Sequence, residues 1–436
     1  MINKYLIKDA SWALFGQLIS AISLLVGTRI LTELISPEIF GQVALFNGFV
    51  ALGVTVFAYP FICAGMRLSP EYSNNRERSD LYRAVYGLTT RSTGLALVIL
   101  AAIGGIYTYV KPNDEIWLFV MVGLLLVTTT RRELGVQLLI GERRQKNASL
   151  WQTTDSLLRP SLAILLVWLA GAKALWVLLG YTLASILVNV FWSYFHGIEA
   201  PVIQPHRPIY ALSLQRNVWA YALPLIPMEM LSWVNGIGDR YIISYFMTTA
   251  EVGLYAATYT LINEAFNRSA MVLLRSFQPV YFNHYTLNEM KRGFNILMLW
   301  ITSVIAMGII GLLLLIAMKN QVAKLLLSKE YHAAVALMPA IGLGCALQAL
   351  GTVLAQPLLA AKRTRDLLAG RLCGTLAAVI TIPIMVKWYG LQGAAWANPI
   401  YFCVEALAMA ILAKPWCFAM VENTDNSVLL PDEVTV

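Results

Sequence analysis

The sequence predicts an all-α polytopic membrane protein of about twelve transmembrane helices in two six-helix lobes, and three observations predict it. Of its 436 residues, 58% are hydrophobic and only 13% charged, with a mean hydropathy of +0.65. That leaves too little polar surface to coat a soluble core of this size. The apolar residues gather in runs of roughly 18 to 25, enough to cross a ~30 Å hydrocarbon layer at 1.5 Å per residue, and the strand-like alternation of a barrel is absent. A corner pattern also occurs once in each half, GTRILTELISPEIFG at 27–41 and GDRYIISYFMTTAEVG at 238–253. In both, a Gly and an Arg close one apolar run and a second Gly opens the next, as expected of a duplicated bundle.

The first run, 11–31, follows Lys4 and Lys8; it is too long for the apolar part of a cleavable leader and lacks a small-residue cleavage site, so it is read as a retained helix. Ser36-Pro37 turns the chain into 39–63. The third run, 92–110, ends at Lys111-Pro112-Asn113-Asp114; 116–139 and 149–170 follow, the latter closed by Gly171, and then 174–195. The second half repeats the count with 218–247, 252–275, 294–318, 333–360, 368–388 and, after Gly390, 391–413. These boundaries divide the chain into a first six-helix lobe at 1–197, a cytoplasmic linker at 198–217, a second lobe at 218–413 and a tail at 414–436. The tail carries Glu422, Asp425, Asp432 and Glu433 and is expected to be disordered.

Charge assigns the sides. With the N-terminus placed inside, 23 of the 32 Lys and Arg fall on the inner side of these runs and 6 on the outer, with Arg29, Arg159 and Arg240 left within them. The positive-inside rule then puts both termini in the cytoplasm, and the net charge of +8 becomes a topology signal that calls for no nucleic-acid partner. Cys63, Cys345, Cys373, Cys403 and Cys417 show no paired spacing, so neither a disulfide framework, a metal knuckle nor any other cofactor site is expected. The hydrophilic stretches 66–91 and 276–293 are too short for a catalytic domain.

Ala220-Tyr221-Ala222-Leu223-Pro224-Leu225-Ile226-Pro227, leading to Gly238-Asp239-Arg240 and Glu251-Val252-Gly253-Leu254-Tyr255, resembles the opening of the second half in the polysaccharide-transport family. That family includes the O-antigen flippases called Wzx, in the superfamily that also holds MATE multidrug exporters and lipid II flippases. Thr28-Arg29-Ile30-Leu31 to Ser36-Pro37-Glu38-Ile39-Phe40-Gly41 is similar to its first corner. The resemblance implies a MATE-like fold of two lobes rocking around a central cavity. It also implies movement of undecaprenyl-diphosphate-linked oligosaccharide across the bacterial inner membrane, with the bilayer, a polysaccharide polymerase and a chain-length regulator as partners. Two departures stand out: Thr28 occupies the place of Asp239, and the Arg-to-Gly interval is one residue longer in the second copy.

A diphosphate headgroup needs cations in a region where an unpaired charge costs at least ~2.5 to 3.5 kcal/mol, and arginine offers a permanently charged, bidentate fork. Arg29, Arg159 and Arg240 are therefore the substrate-binding candidates, with Asp239 and Trp233 for sugar contacts. Each has a structural alternative: Arg29 and Arg240 can snorkel to the interface, and Arg159 can pair with Asp155 four residues earlier. Glu264, Glu229 and Asp155 are the coupling candidates; Glu264 sits close to the midplane, though Arg268 at the i+4 spacing offers it a local partner. Trp233, Tyr241, Tyr255 and Tyr259 are placed to stack on sugar rings or to pack.

A membrane-embedded glycosyltransferase or polymerase would need an acidic metal pair, an acid-base histidine or a large soluble loop; none is present, and no catalytic residue is assigned. No phosphate loop suggests a primary pump. A MATE-type drug exporter would line its cavity mainly with acids and aromatics, whereas the arginine-bearing repeat favours an anionic cargo.

Overall fold

The computed structural model describes residues 4–72, 75–110, 116–142, 144–196, 208–287 and 289–414, and every element among them is helical. In the first half, α1 (Lys4–Leu34) turns at Ser36 into α2 (Pro37–Leu52), with Pro37 at a position where its missing N–H leaves no bond unmade. A π-helical stretch, Gly53–Ala58, carries α2 into α3 (Tyr59–Leu68). Then come α4 (Asn75–Val110), α5 (Ile116–Gly141), α6 (Gln145–Ala170) and α7 (Ala174–His196). The second half comprises α8 (Pro208–Ala222), α9 (Leu225–Phe246), α10 (Thr249–Thr286), α11 (Met290–Leu326), a 3-10 stretch (Lys329–Leu337), α12 (Met338–Leu354), α13 (Gln356–Ala360) and α14 (Thr364–Ala413).

Each apolar run expected from the sequence lies on helix, and eight helical stretches among the described residues are long and apolar enough to cross a membrane. The chain is a multi-pass membrane protein. Its helices α5, α9 and α10 fall outside that set, since Arg131-Arg132-Glu133, Glu229, Asp239-Arg240, Glu264 and Arg268 interrupt their apolar runs. These are the helices that build the polar clusters described below.

Three differences from the sequence reading have local causes. The stretches 66–91 and 276–293 are largely helical: α4 starts at Asn75 and α10 continues to Thr286. At 36 residues α4 spans about 54 Å, well beyond the hydrocarbon layer, because Arg- and Glu-rich sequence sustains a helix in water as readily as Leu does in lipid. The run 218–247 is broken at Leu223-Pro224 into α8 and α9, where the proline removes a backbone donor and crowds the preceding turn. Leu214, Val218 and Ala222 of α8 are buried with Ala58, Phe61 and Leu81 of the first half, so the expected lobe boundary at 218 falls inside a helix docked on the first half. Gly390, at φ +59°, divides α14 where the sequence placed a corner, a left-handed backbone that favours glycine.

Two large apolar cores result. One gathers Val122, Leu125, Val177 and Leu178 of the first half; the other gathers Tyr255, Tyr331, Ile341 and Tyr401 of the second, with Phe40 and Leu45 of α2 packed against it. Residues 198–207 of the expected linker, the Lys111-Pro112-Asn113-Asp114 corner and nearly all of the acidic tail lie outside the described residues, while the rest of the expected linker, 208–217, is part of α8.

Candidate functional site

The repeated corners meet each other. A Cβ added to Gly41 of α2 would overlap the Thr249 carbonyl oxygen, and one added to Gly253 of α10 would overlap that of Pro37, so the two helix starts cross backbone to backbone. Glycine is required there by close approach, not by φ. Thr248 and Glu251 close a capping box at the start of α10, while α2 starts on Pro37. The same seam is tied by Tyr241, whose hydroxyl donates to the Leu45 carbonyl at 2.8 Å, and by Trp233, whose indole N–H donates to the Gly48 carbonyl at 3.0 Å. At the α1–α2 corner the Tyr331 hydroxyl donates to the Ile35 carbonyl at 3.0 Å. The two lobes are thus closed against each other along α2, α9 and α10.

The first lobe holds a compact charge cluster. Asp155 of α6, 1% exposed, accepts from Arg132 of α5 and pairs with Arg159 one turn on, Nε to Oδ2 at 2.9 Å. Arg132 also pairs with Glu133. Ser185 of α7 donates to Asp155 Oδ1 at 3.2 Å, and Arg159 Nη2 donates to Ser185 Oγ at 2.8 Å and Thr129 Oγ1 at 3.0 Å. Two cations thus face two carboxylates, and the group sums to zero, which is the condition under which buried ions persist. Pro160 lies against Gly27 of α1, where a Cβ would come within 2.5 Å of the proline ring.

The second lobe links its carboxylates through neutral groups. Asp239 of α9, 1% exposed, accepts from the Tyr255 hydroxyl at 2.6 Å; Asn398 Nδ2 donates to that hydroxyl at 2.7 Å; and the Tyr401 hydroxyl donates to Asn398 Oδ1 at 2.9 Å and to the Asn235 carbonyl at 3.3 Å. Asn235 Nδ2 then donates to Glu405 Oε2 at 3.2 Å. The chain of bonds runs from Asp239 to Glu405 across α9, α10 and α14. Beside it, the Arg371 guanidinium donates to Ser232 Oγ at 3.0 Å and lies within electrostatic reach of both Glu229 and Glu405.

The residues singled out by the sequence are distributed among these three places. Arg29 pairs with Glu33 at 2.6 Å near the C-terminal end of α1, where both side chains are partly exposed. Arg159 and Asp155 form the pair their spacing suggested, joined by Arg132. Arg240 is 9% exposed; it donates to the Gly236 carbonyl at 3.2 Å and lies over the Tyr259 ring at 5.2 Å, a cation–π arrangement. No carboxylate stands within ion-pair distance of it among the described residues. Glu264 accepts from Arg268 Nε at 2.6 Å, and Arg268 also bonds Gln17 of α1, so this pair too spans the lobes. Trp233 serves the seam, and Tyr255 and Tyr259 are buried in the second core. Glu405, read from the sequence as a mid-span carboxylate of the last helix, joins the network of Asp239. Arg132, Asn398 and Tyr401 were not among the sequence candidates. Arg-Arg-Glu inside an apolar run was the available signal for the first; the other two carry no spacing pattern.

The sequence matches the model of the polysaccharide biosynthesis protein family over residues 6–282. None of the curated proteins matches it. Among solved structures, the fold is similar to the lipid II flippase MurJ in an inward closed conformation, with a TM-score of 0.66, 14% identity and coverage of 96% of this chain and 94% of that one. It is similar also to an inward-facing multidrug resistance MATE family transporter of the MOP superfamily, with a TM-score of 0.71, 14% identity and coverage of 95% and 100%. A third is a MOP superfamily transporter from Pyrococcus furiosus, described as having a binding pocket of reverse polarity, at a TM-score of 0.64 and 14% identity over 97% of both chains.

Proposed function

The chain belongs to the polysaccharide biosynthesis protein family, and from that premise we propose that it is a flippase carrying undecaprenyl-diphosphate-linked oligosaccharide across the bacterial inner membrane by alternating access. The family match over residues 6–282 carries the reading. The two-lobed fold is one on which lipid-linked and drug-like cargoes are both handled, and the seam along α2, α9 and α10 is the closure such a cycle must open. Transport rather than catalysis is the activity.

Within this reading Arg240 is the phosphate contact. Arg29 is engaged by Glu33 and Arg159 by Asp155, which leaves Arg240 as the candidate arginine without an ion-paired carboxylate among the described residues, held by a carbonyl and an aromatic face with Asp239 within electrostatic reach. Such a cation gains most from an arriving anion, because no intramolecular partner has to be displaced. The carboxylates Asp239 and Glu405, with Glu229 and Glu264, are the groups through which an ion gradient would act. A polymerase and a chain-length regulator would receive the cargo on the far side.

The test is flipping of fluorescently labelled undecaprenyl-diphosphate-linked oligosaccharide in proteoliposomes. Wild type should move it. Arg240→Ala should slow it at least tenfold with protein abundance unchanged, and Arg240→Lys should recover part of the rate. Efflux of a cationic dye with no movement of the lipid would instead identify a drug exporter, and full activity of Arg240→Ala would remove that residue from the mechanism.

A further inference from the structure

The second lobe contains a cavity of about 170 Å³ between α9, α10, α12 and α14, and its wall is unusually rich in side-chain amides. Asn235, Asn263, Asn267 and Gln348 all line it, with Thr352 beside them and Glu405 and Arg371 supplying one charge of each sign. Asn235 is 5% exposed, and while its Nδ2 donates to Glu405, its Oδ1 is buried without any partner. A buried acceptor left unmade is costly, so this atom calls for a donor from whatever enters. Asn263 Oδ1 receives the weak Cys345 thiol at 3.8 Å, the one hydrogen bond of this side chain among the described residues. The exposed Asn267 and Thr352 lie on the rim.

The chemistry of the wall selects among occupants. A phosphate would meet the Glu405 carboxylate with a single guanidinium to oppose it. An acyl chain would strand four amides without water. A vicinal diol suits the site, because each hydroxyl donates and accepts at once, as each amide does, while Glu405 can accept and Arg371 donate. Phe402 and Met409 add an apolar side for the ring carbons. The volume holds one ring and excludes an oligosaccharide.

We infer that this cavity is a subsite for one uncharged sugar ring, held by the amides of Asn235, Asn263, Asn267 and Gln348 with Glu405 accepting from a hydroxyl. The inference rests on the flippase reading for how the sugar arrives; the phosphates stay outside the cavity. It makes the second lobe the part that reads the glycan, and it assigns discrimination between sugars to the amide positions.

The test uses full-length Thr352→Cys protein in nanodiscs, with maleimide modification at position 352 read by peptide mass spectrometry so that the native cysteines can stay. Three probes are compared: the lipid-linked oligosaccharide, undecaprenyl diphosphate without sugar, and the free oligosaccharide released from its carrier. Both sugar-bearing probes should slow modification at least fivefold, and the bare lipid should not. Asn267→Ala and Gln348→Ala, at accessible positions that leave folding intact, should each raise the half-protecting concentration about tenfold. Equal protection by the bare lipid, protection by no probe, or protection unchanged by both substitutions overturns the subsite. Protection by the free oligosaccharide in a protein that fails to flip lipid would overturn the flippase reading and leave the subsite standing. Flipping by wild type and by both amide variants at one rate and one half-saturating concentration would do the reverse.

Discussion

Asp155 in α6 and Asp239 in α9 are each 1% exposed, one in each lobe, and their surroundings differ in kind. Asp155 is clamped by two guanidiniums, Arg132 and Arg159, and a serine. Asp239 accepts from a tyrosine hydroxyl and from the backbone N–H of Arg240, and its bonds continue through Asn398, Tyr401 and Asn235 to a second carboxylate. The first arrangement fixes charge in place, since any change of ionisation leaves an uncompensated ion. The second passes through two tyrosine hydroxyls, each able to donate and to accept. The first lobe thus holds its buried aspartate by ion pairs, and the second by hydrogen bonds to uncharged groups.

The largest test of that contrast is removal of each carboxylate. Asp155→Ala leaves two arginines buried against Glu133 alone and should cost about 3–5 kcal/mol, read as a lowered thermal midpoint in detergent and loss of the monodisperse peak. Asp239→Asn keeps an acceptor for the Tyr255 hydroxyl and should cost well under half of that, while slowing transport. Equal destabilisation by the two substitutions would mean that the second-lobe network is as rigid a lock as the first.

How much of this was legible in the sequence follows from the range of each signal. Helix runs and corners were legible because hydropathy and breakers act over a few residues: Ser36-Pro37, Gly171 and Gly390 all end or divide helices where they stand. The Asp155–Arg159 pair was legible because four residues is one helical turn. Arg132 was not, since its partner is on another helix and an arginine near the end of a run reads equally well as a topology signal. The bonds from Asp239 to Glu405 join three helices through Tyr and Asn, residue types that occur throughout the chain, so no spacing announced them. Trp233, read from the sequence as placed to stack on a sugar or to pack, gives its N–H to a carbonyl across the seam, the usual requirement of a partly buried indole.

Smaller effects should follow from removing one neutral donor in each lobe. Tyr255→Phe takes the donor from Asp239 and the acceptor from Asn398 together, leaving two buried groups unmatched at a cost of about 1–3 kcal/mol. Ser185→Ala removes one bond from an Asp155 still held by Arg132 and Arg159 and one from an Arg159 still held by Thr129 and Asp155, so neither group is left unmatched and the cost should stay at about 1 kcal/mol. Chemical denaturation of matched samples distinguishes the two, and a greater loss for Ser185→Ala than for Tyr255→Phe would invert the contrast.

The smallest stability effect, and the most informative about function, concerns the two corner arginines. Arg29 has Glu33 at i+4, on a surface where such a pair is worth about 0.3–0.5 kcal/mol; Arg29→Ala should therefore barely move the thermal midpoint and should leave flipping near wild type. The position equivalent to Glu33 in the second copy is Ser244, so the sequence has withheld from Arg240 the partner it supplied to Arg29. Ser244→Glu restores that partner. It should add no more than a few tenths of a kcal/mol to stability while lowering flipping toward the Arg240→Ala rate, because the cargo's phosphate must then displace a carboxylate. Wild-type flipping by Ser244→Glu would show that the missing acid is not what distinguishes the second corner from the first.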